Sequence, residues 1–327
     1  MTETGRTPGV RCRPASADFH GSASQPGITN ERGFPRWLPF VVLGIGLIAI
    51  SFGGILARLA QSAGVPSLSI AAWRLGFATL VATPFALVAL FHHAQSYTRR
   101  QLGLGIAAGF CLAAHFGTWI SSLEYTSVAS STALVTTNPL WIGIASFVLF
   151  GERPGRAMLA GIALSLAGSL LIFLSDSQQA DTGSDSLLGN ALALVGSWCF
   201  SAYLMIGRRL RAGLTLALYV WLTYGIAALA LFAVAGGSGL PLAGFALAGW
   251  LALAGMALGP QLIGHTSYNW SLKHVSATFV AVVTLGEPIG GALMAWIFFG
   301  ETLAPVQAVG FGLLLLGIYL AAKGERG

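Results

Sequence analysis

Ten runs of apolar residues, each long enough to cross a bilayer, dominate the chain: 38–59, 67–91, 101–123, 127–150, 156–174, 187–207, 214–235, 242–272, 275–299 and 304–322. A hydrocarbon core about 30 Å thick needs about 20 such residues in a helix. A helix satisfies its own backbone hydrogen bonds, which lipid cannot do, so these runs predict an all-α integral membrane protein. Run 242–272 exceeds one straight span, which puts the start of its helix near Phe245. Composition excludes the alternatives. Charged residues make up 9% of the 327, against about 25% in soluble domains, too few to cover a water-facing surface. A soluble enzyme, a nucleic-acid binder and a disordered chain are ruled out on that ground. The net charge of +6 implies no nucleic-acid partner, because the Lys and Arg form short clusters between apolar runs. Cys12, Cys111 and Cys199 lie far apart, with no disulfide framework or metal-ligand spacing.

Residues 1–36 hold four prolines, several Ser and Gly, and Arg6, Arg11, Arg13, Arg32 and Arg36. They read as a disordered basic tail. A cleavable signal peptide fits less well, because the first apolar run begins only at residue 38 and is long enough to span. A polar, acidic linker, 176–186, separates residues 37–175 from 187–323, and the two parts repeat each other. At an offset of 149, Pro139 meets Pro288, Phe150-Gly151-Glu152 meets Phe299-Gly300-Glu301, Gly161 meets Gly310, and Gly168 meets Gly317. Ser122-Leu123 meets Ser271-Leu272 at the same offset, whereas Trp73 and Trp221 need 148. Each part carries five spans. An odd number forces the second part to enter the membrane from the opposite side, so the expected fold is ten transmembrane helices in two inverted five-helix repeats.

The charges agree with that inversion. Basic residues mark cytoplasmic loops. With both termini in the cytoplasm, all 17 Lys and Arg except Arg58 and Arg74 fall on the inner side. The outer side receives Glu124, Asp176, Asp181, Asp185 and Glu301. Repeat partners also switch charge: GERPGR (151–156) becomes GETLAP (300–305), and Glu124 becomes Lys273. The expected location is the bacterial inner membrane. Inverted repeats of this kind can exchange conformations and open a central site to alternate sides, which is the logic of a secondary transporter.

The stretch 50–80 (ISFGGILARLAQSAGVPSLSIAAWRLGFATL) resembles the opening helix pair of the EamA family, within the drug/metabolite transporter superfamily. TTNPLWIGIASFVLFGERP (136–154) and TLGEPIGGALMAWIFFGETL (284–303) resemble its two related signature helices. The resemblance covers about residues 38–322. It implies a ten-helix bundle and export or exchange of small metabolites, including amino acids.

Candidate site residues follow from position. Asn138-Pro139 and Glu287-Pro288 sit at the centres of spans 4 and 9. Proline removes a backbone donor and disfavours helix at the residue before it. Such a break persists in a membrane only where the freed groups meet protein or water. Glu287 is the one acidic residue deep in a span. Two readings are open: a carboxylate for proton coupling or a substrate amine, or a neutral acid bonded to a neighbouring helix. His115 with Trp119 in span 3, and Gln261, His265 and Asn269 in span 8, are further candidates, with a Glu287–His265 proton relay among the possibilities. Arg74 could hold a substrate carboxylate or snorkel outward to fix its helix. Trp198 and Tyr203 could line a cavity or simply pack. Arg58 reads as a surface anchor. Glu152 and Glu301 read as architecture at helix ends. The row Gly161, Ser165, Ser169 and the pair Gly317, Ala321 read as helix packing within the bundle.

No catalytic motif, metal site, cofactor motif or ATP-binding GxxxxGK[ST] is present, so a gradient is the expected driving force. The expected partners are a small-molecule substrate, the lipid bilayer and, by hypothesis, protons; the expected assembly is a monomer or homodimer. The rival functions are a passive facilitator and, more remotely, an integral-membrane enzyme.

Overall fold

A computed structural model describes residues 35–92, 97–126, 128–150, 154–177, 185–299 and 305–326. The tail up to residue 34, Glu152, Glu301 and linker residues 178–184 lie outside the described residues. Among the described residues the regular elements are all helical. In order they are α1 (Leu38–Ser51), α2 (Gly53–Ser62), α3 (Ser67–His92), α4 (Arg99–Ser122), α5 (Val128–Val135), α6 (Asn138–Phe150) and α7 (Arg156–Ser177). Then follow α8 (Ser186–Arg211), α9 (Leu216–Gly237), α10 (Leu247–Met256), a π-helical segment (Ala257–His265), α11 (Thr266–Ser271), α12 (Ala277–Thr284), α13 (Glu287–Phe299) and α14 (Pro305–Arg326).

Seven helical stretches among the described residues are long and apolar enough to cross a membrane: Leu38–Ser62, Ser67–Phe91, Arg99–Ser122, Leu187–Arg211, Leu216–Gly237, Leu247–Ser271 and Ala277–Met294. The other three expected runs fall on α5–α6, α7 and α14, where the described apolar stretches are shorter. The helix in run 242–272 starts at Leu247, just after the expected Phe245, because Gly244 turns the chain with φ of 83°. Large apolar side chains face outward; Phe91 and Leu187 are each 79% exposed. Lipid covers such a surface; water would not.

Local chemistry sets the helix starts. Thr98 and Gln101 form a capping box at α4, with Gln101 N donating to Thr98 Oγ1 (3.2 Å) and Thr98 N to Gln101 Oε1 (3.0 Å). Ser276 Oγ accepts from Phe279 N (3.0 Å) at the start of α12. Pro139 and Pro288 are the second residues of α6 and α13, where a missing N–H costs least. The donors they lack would have reached the carbonyls of Val135 and Thr284, the last residues of α5 and α12. The chain therefore breaks at Thr136-Thr137 and at Leu285-Gly286, mid-run in both cases.

Helices pack through small residues. Gly161 of α7 lies against Gly317 and Ala321 of α14, and Gly168 against Gly310 and Leu314. A Cβ added at Gly161 would come within 2.7 Å of the Gly317 carbonyl oxygen, so the two backbones nearly touch. The expectation of packing within the bundle holds. α3 meets α9 in the same antiparallel manner: Trp73 packs edge-on to Phe232 (5.1 Å), and Trp221 Nε1 donates to Thr83 Oγ1 (3.1 Å). α4 packs on α8, and α1 on the π-helical segment.

Candidate functional site

The breaks ahead of α6 and α13 open onto a narrow, partly enclosed cavity. It is lined by Ile50, Arg74, His115, Trp119, Val135, Thr136, Asn138, Phe200, His265, Thr284 and Glu287. Asn138 and Glu287 are the first residues of α6 and α13 and stand 149 apart, the repeat offset. Two half-helix N-termini thus meet the cavity, each contributing a positive dipole end. Across the breaks, Thr284 Oγ1 donates to Asn138 Oδ1 (3.0 Å). That bond leaves Asn138 Nδ2 buried with no hydrogen-bond partner.

Arg74 is 1% exposed, so it does not snorkel to the surface. Its Nε donates to Gln261 Oε1 (2.8 Å), and its guanidinium carbon lies 4.0 Å from the centre of the Phe116 ring. Nη1 and Nη2 are buried without hydrogen-bond partners. Arg74 and Glu287 therefore share the cavity with no hydrogen bond joining them. Trp119 Nε1 is likewise an unpartnered donor. Orphaned buried donors cost free energy unless something accepts from them. Here Arg74, Asn138 and Trp119 together present such donors at one small space.

The two histidines sit close by, with ring centres 6.2 Å apart. His115 Nδ1 lies 3.0 Å from the Gly196 carbonyl oxygen. A carbonyl can only accept, so Nδ1 carries the hydrogen and Nε2 of the neutral ring is left as an acceptor. The His115 ring stacks on Phe200 (4.7 Å), and His265 meets Phe116 edge-on (5.0 Å). The cavity therefore has one aromatic wall and one wall of polar groups, the usual make-up of a small-molecule site.

Of the candidates drawn from the sequence, Arg74, His115, Trp119, Asn138, His265 and Glu287 come together at the cavity. Pro139 and Pro288 are buried beside it and set the breaks. Gln261 is reached through Arg74. Asn269 and Tyr203 are fully buried away from the cavity lining: Tyr203 Oη donates to Asn269 Oδ1 (2.9 Å), and Asn269 Nδ2 donates to Tyr224 Oη (3.1 Å). Trp198 is 47% exposed and lines a separate, mostly apolar groove with Trp141, Met205 and Arg209. It faces outward because α8 turns its other face to α4. Arg58 is exposed, and its Nη2 donates to the Thr126 carbonyl (2.8 Å), tying α2 to the end of the α4 turn. Sequence reading missed Thr136, Phe200 and Thr284. A small polar residue stands just ahead of each proline break, and that pattern was the available signal for the two threonines. Phe200 had none.

Comparison with known proteins bears on most of the chain. The family described as the EamA-like transporter family matches residues 37–174 and 187–323. The threonine/homoserine exporter RhtA of Escherichia coli K12 is 29% identical over 299 residues, covering 89% of this chain and 92% of that protein. A riboflavin transporter of Rhizobium johnstonii is 28% identical over 289 residues, covering 85% and 88%. An uncharacterized transporter of Archaeoglobus fulgidus is 23% identical over 271 residues, covering 82% and 91%. A solved crystal structure superposes with a TM-score of 0.70 over 88% of this chain and 98% of its own, at 20% identity, a likeness of fold alone.

Proposed function

The chain belongs to the EamA-like transporter family, and we propose that within it this protein exports or exchanges small organic metabolites, amino acids foremost, by alternating access. The carrying observation is the cavity where Arg74, with two unpartnered donors, and Glu287 meet at the starts of two half-helices. A guanidinium end offers two parallel donors that match a carboxylate. Glu287 takes the substrate ammonium or a proton in its place, and the aromatic wall takes the side chain. RhtA is named for threonine and homoserine, which makes these two the first compounds to try.

We further propose ten spans in two inverted repeats, residues 37–175 and 187–323, with both termini in the cytoplasm. The helix contacts support this reading. Gly161 packs on Gly317 while their offset partners, Gly310 and Gly168, pack on each other. A two-fold axis between α7 and α14 requires that crossing. Cysteines at Arg99 and Lys273 should react with an impermeant reagent from the inner side, and one at Glu124 only from the outer side. Labelling of Arg99 and Lys273 from opposite sides would overturn the inversion.

The transport test is counterflow of radiolabelled amino acids in proteoliposomes, with and without a pH gradient. Saturable counterflow is expected, with accumulation driven by the gradient and abolished by an uncoupler. Flux that neither saturates nor accumulates would select a passive facilitator, and turnover of a substrate in detergent would select an enzyme. In Glu287→Gln, gradient-driven accumulation is expected to disappear and the pH dependence of transport to flatten, because the side chain can no longer exchange a proton. Unchanged accumulation and pH profile would remove Glu287 from coupling.

A further inference from the structure

The stretch Leu247–Ser271 has 25 residues, and α4, its counterpart in the first half, has 24. The starts of the two, Arg99 and Leu247, are 148 apart; their ends, Ser122 and Ser271, are 149 apart. Trp73 and Trp221, upstream, also stand 148 apart. The second half therefore holds one residue more than the first between these ends. α4 is unbroken α-helix over its length, whereas the second half carries the π-helical segment Ala257–His265. A π-helical turn is how a helix absorbs an additional residue without breaking, and such turns cluster at functional sites. This one contains Gln261, which bonds Arg74, and ends on His265, which lines the cavity.

Gln261 is fully buried, and its Oε1 accepts from Arg74 Nε. That bond uses the side of the guanidinium and leaves the Nη1–Nη2 end, the edge with both orphaned donors. An arginine on a bare apolar wall could swing about its four side-chain torsions. With Nε anchored and Phe116 beneath the plane, the fork is held in one orientation. We propose that the extra residue, absorbed as the π-helical segment, makes Gln261 the positioning residue for Arg74 and so builds a site that selects a carboxylate over its neutral amide. This rests on the transport reading above and deepens it by naming what the second half adds to the site.

The test compares L-threonine with L-threoninamide, and each further amino acid with its amide, as competitors of amino-acid counterflow in proteoliposomes. The wild type is expected to prefer the carboxylate. In Gln261→Leu the half-inhibitory concentration of the carboxylate should rise about 10- to 100-fold, the size expected when a hydrogen bond to a charged group is lost, while that of the amide stays as it was. Deleting Gly259, which restores 24 residues, should give the same pattern. A general packing defect would weaken both compounds alike, and that outcome in Gln261→Leu would overturn the proposal, as would an unchanged preference for the carboxylate. If Gly259 cannot be deleted without loss of the protein, Gln261→Leu decides alone. Absence of counterflow for every amino acid in the wild type would overturn the substrate reading, and this inference with it.

Discussion

Arg74→Ala is expected to lose amino-acid transport almost entirely, with substrate affinity falling at least about 100-fold. Removing a buried charged partner from a carboxylate typically costs 2–5 kcal/mol or more, of which about 2.7 kcal/mol corresponds to that factor. The side chain is 1% exposed and has both terminal nitrogens free, so no other role in the fold consumes its fork. Arg74→Lys should fare little better. A lysine offers one compact charge on a flexible stem, cannot donate from an Nε to Gln261, and cannot present two parallel donors. Arg74→Met keeps the volume and the contact with Phe116 without the charge, and should remain folded and inactive. Counterflow rates with melting curves for all three variants check this. Transport by Arg74→Met within about threefold of wild type would remove the arginine from substrate binding.

Gly317→Val should be the most destabilising single change. Even a Cβ at this position would meet Ser165 Oγ, lie 2.6 Å from the Gly161 carbonyl oxygen and 2.7 Å from Ser165 N. The obstacles include the backbone of α7, which cannot rotate out of the way. Overpacking of this kind costs about 1–3 kcal/mol, or more where backbone is involved. Gly168→Val faces the Gly310 carbonyl oxygen at 2.5 Å and Leu314 N at 2.9 Å and should behave likewise. The control lies on the same helix: a Cβ at Gly312 meets nothing within 4 Å. Gly312→Ala should be neutral or slightly stabilising, since alanine favours the helix. Thermal unfolding in detergent separates the cases. Equal melting temperatures for Gly317→Val and Gly312→Ala would show that α7 and α14 are not so closely seated in the membrane.

Much of the fold was legible before any coordinates. Transfer into lipid is nearly a sum over consecutive residues, so run length and composition marked directly the seven membrane-length helical stretches among the described residues. The proline breaks were legible because a missing N–H is a property of one residue, and Asn138 and Glu287 could be singled out for standing beside them. The small-residue rows of α7 and α14 were legible for a similar reason: only Gly, Ala and Ser permit such approach.

Which way each helix turns was not legible. A membrane helix is apolar on the side facing lipid and on the side facing its neighbours, so periodicity gives little guidance to its rotation. Trp198, a reasonable cavity residue by type, faces outward, while Phe200, two residues on, lines the cavity. Arg74 had two destinations in the sequence, the surface or the interior. Gln261 on the π-helical segment and the ring of Phe116 on α4 hold it inside. The amino-acid order alone determined that this chain carries helices of bilayer length and that its proline breaks stand at matching points, ahead of α6 and α13. Only tertiary packing decided which polar groups share one space, because that depends on the relative rotation of helices distant in sequence.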